Sequence, residues 1–136
     1  MNRIVSTAVA LLLLLVAAPT AAAQRPIVIE FEKQWAAPDY YVGTVEDGGT
    51  IEMWLFDKSV IGNTQHFSAT VDVTSPGGSF RAVVSGQINF STGRVVLNGT
   101  VTSGWLAGAQ VREESQLVDP VTGSFIGTVQ INPASS

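Results

Sequence analysis

The stretch SFRAVVSGQINFSTGRVVLNGTVT, residues 79–102, decides the fold of this chain. From Phe80 to Phe90, apolar or small side chains fall at every second position, with mostly polar ones between them. The same period returns over residues 94–102, after a Thr92-Gly93 turn. Successive side chains of a strand point to opposite faces, so both halves predict strands with one buried and one wet face.

Alternation of this kind recurs along most of the chain after residue 26, and no apolar stripe with helical spacing persists over three turns. Turns such as Asp47-Gly48-Gly49 and Pro76-Gly77-Gly78 separate the alternating runs. Glycine supplies the positive φ that tight hairpin turns need. We therefore predict about eight strands, at residues 27–33, 40–46, 50–57, 65–75, 79–90, 94–102, 106–118 and 124–131.

Short connections restrict how these strands can assemble. Neighbours joined by tight hairpins must run antiparallel, and closure of such a sheet removes its exposed edges. Four glycines, Gly86, Gly99, Gly108 and Gly127, fall inside predicted strands, where they allow a tightly curved sheet to bend. We predict an all-β fold, a small closed antiparallel barrel, with a two-layer β-sandwich as the alternative.

The start of the chain is typical of a secretory signal peptide. Arg3 gives a positive start, an apolar run continues to Ala18, and small residues precede a cleavage site after Ala23. The apolar run of about fifteen residues is shorter than the roughly twenty that span a bilayer, which disfavours a membrane anchor. We predict that residues 1–23 are removed and that residues 24–136 form a single barrel domain. The protein is then secreted or lies in the periplasm or cell envelope, without membrane insertion after processing.

Composition excludes several classes of partner. The chain carries 7 basic and 11 acidic residues, and cleavage of the signal peptide removes the basic residue Arg3 from the mature protein. The mature protein is therefore too acidic to form a phosphate-binding face, and we expect no nucleic-acid partner. The chain has no cysteine and so no disulfide, which fits bacterial-type export better than a small eukaryotic secreted domain.

The residue types of the sequence give little support for a metal site or for a catalytic nucleophile. His66 is the only histidine of the sequence, and there is no thiol. Zinc and copper sites need several convergent ligands, so we expect no metal and no cofactor. No serine lies in a Gly-x-Ser-x-Gly elbow, so a Ser-His-Asp set is not expected. We therefore assign no catalytic residue.

One carboxylate is a candidate for a polar group inside the barrel. Glu113 and Glu114 are neighbours in a predicted strand, so their side chains face opposite sides. If this segment belongs to a closed barrel, one of the two points inward. Glu113, on the face of Val111 and Leu117, would be that residue and could orient a polar ligand group. The alternative is that this strand curls at the barrel rim and leaves both glutamates wet.

The predicted third strand is largely apolar on both faces, with Trp54 and Phe56 on one of them. Such a strand is either covered on both sides or displays its aromatic rings to a ligand or partner. Tyr40 and Tyr41 add aromatic surface in the preceding segment. The alternative is that residues 27–41 fold across the outside of the sheet and bury Trp54.

The glycine-rich stretch GGSFRAVVSGQI, Gly77–Ile88, has a shorter counterpart, GSFIG, at Gly123–Gly127. It resembles the hairpin strand of dirigent and allene oxide cyclase proteins. The resemblance implies a small eight-stranded antiparallel barrel, often exported, with an apolar cavity. The catalytic and guiding acidic positions of those families have no counterpart here, so no residue role is carried over.

These features predict an exported, non-catalytic barrel that binds a small apolar ligand or a protein partner. The predicted binding residues are Tyr40, Tyr41, Trp54, Phe56 and Glu113. One alternative is a cofactor-free barrel enzyme of the cyclase or isomerase kind. Another is a purely structural surface-interaction protein whose interior is filled by side chains. The volume of the barrel cavity separates these possibilities, whereas the oligomeric state has no signature in the sequence.

Overall fold

The computed structural model describes residues 25–133. The predicted signal peptide lies outside the described residues. Within them the chain forms β-strands and no helix, so none there is long and apolar enough to cross a membrane. The strands are β1 (Ile27–Ala37), β2 (Tyr40–Val45), β3 (Thr50–Ile61), β4 (Thr64–Thr74), β5 (Phe80–Asn89), β6 (Arg94–Gly104), β7 (Gln110–Asp119) and β8 (Ser124–Asn132).

The eight strands close into one antiparallel barrel. Each strand pairs with its neighbour in sequence, and β8 pairs with β1 from Ile27 opposite Ile131 to Gln34 opposite Ser124. The predicted closed barrel is thereby confirmed, and the sandwich alternative is wrong. Closure gives the strands a partner on both sides along most of their length, which removes the exposed edges of an open sheet.

Three strand boundaries differ from the prediction by four residues, and the others by no more than two. β1 continues to Ala37 and β3 to Ile61, whereas β7 begins only at Gln110. The residues before β7 form a turn in which Leu106 and Gly108 have positive φ, 61° and 91°. Gly108 therefore belongs to a turn and not to a strand, because its backbone conformation is one that interrupts β-pairing.

The core fills most of the barrel interior. Inward-facing residues from all eight strands contribute to it, and each buried large apolar side chain stabilises the fold by about 1.5–3 kcal/mol. The largest fully buried apolar side chains are Ile51, Val73, Val84, Leu97, Val101, Val129 and Ile131. The inward and outward faces follow the alternation that the sequence predicts.

Glycines at inward strand positions allow close approach of neighbouring strands. A Cβ atom on Gly99 would lie 1.9 Å from the carbonyl oxygen of Val83, and one on Gly127 would lie 2.1 Å from that of Glu114. A larger residue would therefore push the strands apart. Gly127 has a second effect, because it leaves an inward position of β8 without a side chain.

The two ends of the barrel differ. At one end, Trp105 of the β6–β7 loop packs against Phe80, with ring centroids 6.5 Å apart, and lies over Gly78. The backbone N–H of Trp105 also donates to the Ser79 carbonyl at 2.9 Å. The other end, which we call the mouth, carries the β1–β2, β3–β4, β5–β6 and β7–β8 connections. The candidate site lies at the mouth.

Candidate functional site

A cavity of about 70 Å³ lies inside the mouth. Each of the eight strands contributes a side chain to its lining. The apolar and aromatic wall includes Tyr41, Met53, Leu55, Phe67, Ile88 and Phe125. The cavity is far smaller than the roughly 300–1,000 Å³ of a site for a drug-sized ligand. The barrel thus encloses room for a small group only.

A buried ion pair lies beside this cavity. Lys33 lines the cavity, and its Nζ is 2.7 Å from Oε2 of Glu113. The two side chains are only 2% and 1% exposed. The ammonium also lies 3.3 Å from Sδ of Met53 and 4.8 Å from the centre of the Phe31 ring. These contacts compensate a charge that would be costly to bury alone.

The topology explains how two residues 80 positions apart meet. Strands β1 and β7 both pair with β8, which lies between them. Gly127 of β8 is opposite Phe31 on one side and Ser115 on the other. Lys33 and Glu113 lie on opposite sides of this position, and Gly127 places no side chain between them.

Two buried polar atoms have no hydrogen-bond partner among the described residues. They are Oε1 of Glu113 and Oγ of Ser115. Ser115 is 4% exposed and lines the same cavity as Lys33. A buried polar group without a partner costs about 1–3 kcal/mol. The cavity therefore offers an ammonium and a free hydroxyl within an apolar wall, an arrangement that can orient a small molecule.

The structure places Glu113 inside the barrel, as the alternation predicts. The alternative in which both glutamates are exposed to solvent is wrong, because only Glu114 faces outward. On the outer surface, Oε1 of Glu114 lies 2.8 Å from Nη2 of Arg112. Tyr41 also faces inward and lines the cavity, with its ring edge-on to Phe125 at 5.8 Å and 77°. Burial raises the pKa of Tyr41, and the nearby Asp39 carboxylate adds to this effect.

The other three predicted binding residues lie on the outer surface. Tyr40 and Trp54 stack with ring centroids 5.3 Å apart, and the Tyr40 hydroxyl donates to Glu52 at 2.6 Å. This hydrogen bond raises the pKa of Tyr40. Trp54 and Phe56 are 37% and 42% exposed. The predicted residues thus form two groups, one inside the mouth and one outside.

The alternative in which the N-terminal segment covers Trp54 from outside is wrong. Residues 27–37 are strand β1 of the barrel wall and pair with β2 and β8. The nearest aromatic cover for Trp54 is Tyr40, which lies opposite it on β2. Trp54 therefore remains accessible on the outer face of β3.

The last part of β3 has a free edge. Pairing between β2 and β3 ends at Tyr40 and Trp54, followed by one bond from the Leu55 N–H to the Asp39 carbonyl at 2.8 Å. Beyond that bond β3 continues to Ile61, and β4 is its one strand partner among the described residues. An unpaired strand edge can pair with another strand.

The remaining candidates for chemistry are dispersed. Among residues 25–133, no three His, Cys, Asp or Glu side chains lie close enough together to hold a metal ion. His66 is exposed on β4, where it lies opposite Ser59 of β3 and Gln87 of β5. It takes no part in the cavity.

Sequence reasoning missed Lys33 and Ser115. A signal for both was present, because Lys33 is two residues after Phe31, and Ser115 is two residues after Glu113. Extending the inward face by one more step on each strand predicts both positions. The sequence signal for the site was therefore Lys33, a charged residue that continues the inward apolar face of its strand.

Two comparisons with known proteins, with family models and with curated sequences, give no match. No protein-family model matches the chain, and no curated protein sequence matches it. The relation to dirigent and allene oxide cyclase proteins therefore stays a prediction, and the functional argument rests on the cavity and its polar groups.

Proposed function

We propose that this protein is an exported, non-catalytic barrel that binds a small, largely apolar molecule in its mouth. The observation that carries the proposal is the cavity of about 70 Å³ with an apolar wall and two buried polar groups, Lys33 and Ser115. Ligand sites commonly have this composition, with many hydrophobic side chains and a few polar groups that fix orientation.

The cavity limits which part of the molecule is enclosed. An engineered apolar cavity of about 150 Å³ holds one benzene molecule. A cavity of about 70 Å³ therefore suits a polar head group and the first few carbons of a chain. The rest of the chain would lie along the rim, where Leu55 is partly buried and Phe90 is 52% exposed.

Two features favour binding over the alternatives. Lys33 and Glu113 compensate each other's charge at 2.7 Å, which suits a fixed anchor better than a group that exchanges protons with a substrate. In a purely structural barrel we would expect the buried Ser115 hydroxyl to have a hydrogen-bond partner, because buried polar groups are normally hydrogen-bonded. It has none among the described residues, which favours a bound ligand as the partner.

Titration of the processed protein with hexan-1-ol, followed by NMR of methyl groups, tests this proposal. We expect the Ile88 and Val95 methyl resonances to shift with a Kd of about 1 mM or tighter. Leu55→Trp fills the rim and should abolish the shifts. Val83→Trp places the same side chain on the outer face, where Val83 is 40% exposed, and should leave them unchanged.

Two results would contradict the proposal. If no six-carbon compound shifts the mouth methyl groups, the cavity does not bind ligands. If chromatography and NMR show a retained host molecule converted to an isomer during incubation, the enzyme alternative is correct instead. Native mass spectrometry of protein purified from its own host reports the retained molecule and an N-terminus at Gln24 together.

A protein partner is the second candidate, and the free edge of β3 favours it. An extended strand can add to such an edge through backbone hydrogen bonds. The exposed side chains of Phe56, Val60 and Ile61, at 42%, 59% and 69%, would supply the apolar contacts. Sedimentation velocity of the processed protein tests a second copy as the partner. Association that disappears in Ile61→Lys supports it, and a monomer at every concentration excludes it.

A further inference from the structure

Resting on the proposed binding in the mouth, we infer that the bound molecule has a neutral head group with an oxygen acceptor, as in an alcohol or a ketone. The inference depends on the charges and free hydrogen-bonding groups around the cavity. It excludes carboxylates and amines as the preferred heads, although a lysine at the cavity would by itself suggest an anion.

The charge of the site is already balanced. Among the described residues that line the cavity, Lys33 is the one with a charged side chain. Glu113 compensates it at 2.7 Å, and both side chains are at least 98% buried. A carboxylate head would leave one negative charge in excess inside an apolar wall, and an ammonium head would leave one positive charge in excess. Either excess is unfavourable in a buried site.

The free donors in the cavity lining favour an acceptor, whereas the unpartnered Oε1 of Glu113 belongs to a residue that does not line the cavity. The Lys33 ammonium has three N–H donors, of which one reaches Glu113 and another points at the weak acceptor Sδ of Met53. The Ser115 hydroxyl can donate and has no partner among the described residues. An alcohol or carbonyl oxygen could accept from Ser115 and Lys33 together. A hydrocarbon would give neither the Ser115 hydroxyl nor the Lys33 ammonium a further hydrogen-bond acceptor.

Three probes with the same chain and different heads separate the possibilities: hexan-1-ol, hexanoate and hexylammonium. Each is titrated into the processed protein at pH 7, and the Kd is determined from the shifts of the Ile88 and Val95 methyl resonances. We expect hexan-1-ol to bind at least about ten-fold more tightly than either ion. Hexanoate should gain affinity as the pH falls through the ordinary carboxyl range, about 4, because the acid then becomes neutral.

A variant locates the head group. Ser115→Ala removes the free hydroxyl, and its hexan-1-ol affinity should fall about five-fold, the effect of one hydrogen bond. Ser85→Ala, on the exposed outer face of β5, is the matched control and should leave the affinity unchanged.

The outcomes keep this inference distinct from the proposed function. Hexanoate binding as tightly as hexan-1-ol at pH 7 would overturn the neutral head while leaving binding in the mouth intact. Unchanged hexan-1-ol affinity in Ser115→Ala would also overturn it, because the head would then lie elsewhere. Failure of all three probes would instead overturn the proposed function.

Discussion

The two lysines of this chain form ion pairs in opposite surroundings. Lys33 pairs with Glu113 at 2.7 Å inside the barrel, where the side chains are 2% and 1% exposed. Lys58 pairs with Asp39 at 2.5 Å on the surface, where the side chains are 39% and 42% exposed. The geometry is similar, and the energetics differ because water screens the surface pair and is excluded from the buried one.

The two surroundings give the two ion pairs different consequences for stability. A surface pair contributes little and is easily replaced. A buried pair is expensive to form, and apolar side chains of similar size often stabilise a protein as well or better. Stability alone therefore does not account for Lys33 and Glu113, and their position beside the cavity makes them the natural centre of the proposed binding site.

Breaking the buried pair should have the largest effect. Lys33→Met leaves Glu113 as an unpaired buried carboxylate, so the free energy of unfolding should fall by about 3–5 kcal/mol. Lys58→Met, the matched change on the surface, should lower it by less than about 1 kcal/mol. Urea unfolding of both variants measures the difference, and equal losses would show that the two environments are energetically alike.

Replacing both members of the pair should recover most of this loss. In Lys33→Met/Glu113→Leu no charge remains in the interior, so we expect stability within about 1 kcal/mol of the native protein, or above it. The same urea experiment measures the recovery. A double variant as unstable as Lys33→Met would mean that the pair itself, and not the uncompensated charge, supports the barrel.

Removing the free hydroxyl should stabilise the barrel. Ser115→Ala deletes a buried oxygen without a partner among the described residues, and the free energy of unfolding should rise by about 1 kcal/mol. Ser85→Ala, on the exposed outer face, should stay within about 0.5 kcal/mol of the native protein. Loss of stability in Ser115→Ala would show that the hydroxyl already makes a useful contact.

The smallest effect concerns a surface carboxylate and depends on pH. Asp47 accepts hydrogen bonds from the Ser75 hydroxyl and from the Gly49 N–H at 3.1 Å, and these bonds lower the pKa of Asp47. Its contribution to stability is therefore present above the unfolded value, about 3.9, and is lost as the pH falls through the lower folded value. Asn at this position cannot ionise.

Melting temperatures of native protein and Asp47→Asn at pH 6 and pH 2.5 measure this contribution. The native protein should be the more stable at pH 6, and the difference should shrink at pH 2.5. A difference that stays constant or grows toward acid would mean that ionisation of Asp47 does not contribute.

The fold was more predictable than the site. The period-two pattern predicts the closed antiparallel barrel and the inward direction of Glu113, and both are confirmed. The same pattern places Tyr40 and Tyr41 on opposite faces. Grouping them as one binding surface ignored this consequence, and the structure separates them.

Alternation of apolar and polar residues determined the strands, their antiparallel order and the inward face of each, because side-chain direction in a strand is a local property. Only the tertiary structure decided that Lys33 meets Glu113 80 residues away and that a cavity of about 70 Å³ remains beside them. Both depend on closure of the barrel and on the registers of β1 and β7 against β8. A local sequence pattern does not encode distances between strands that meet only when the sheet closes.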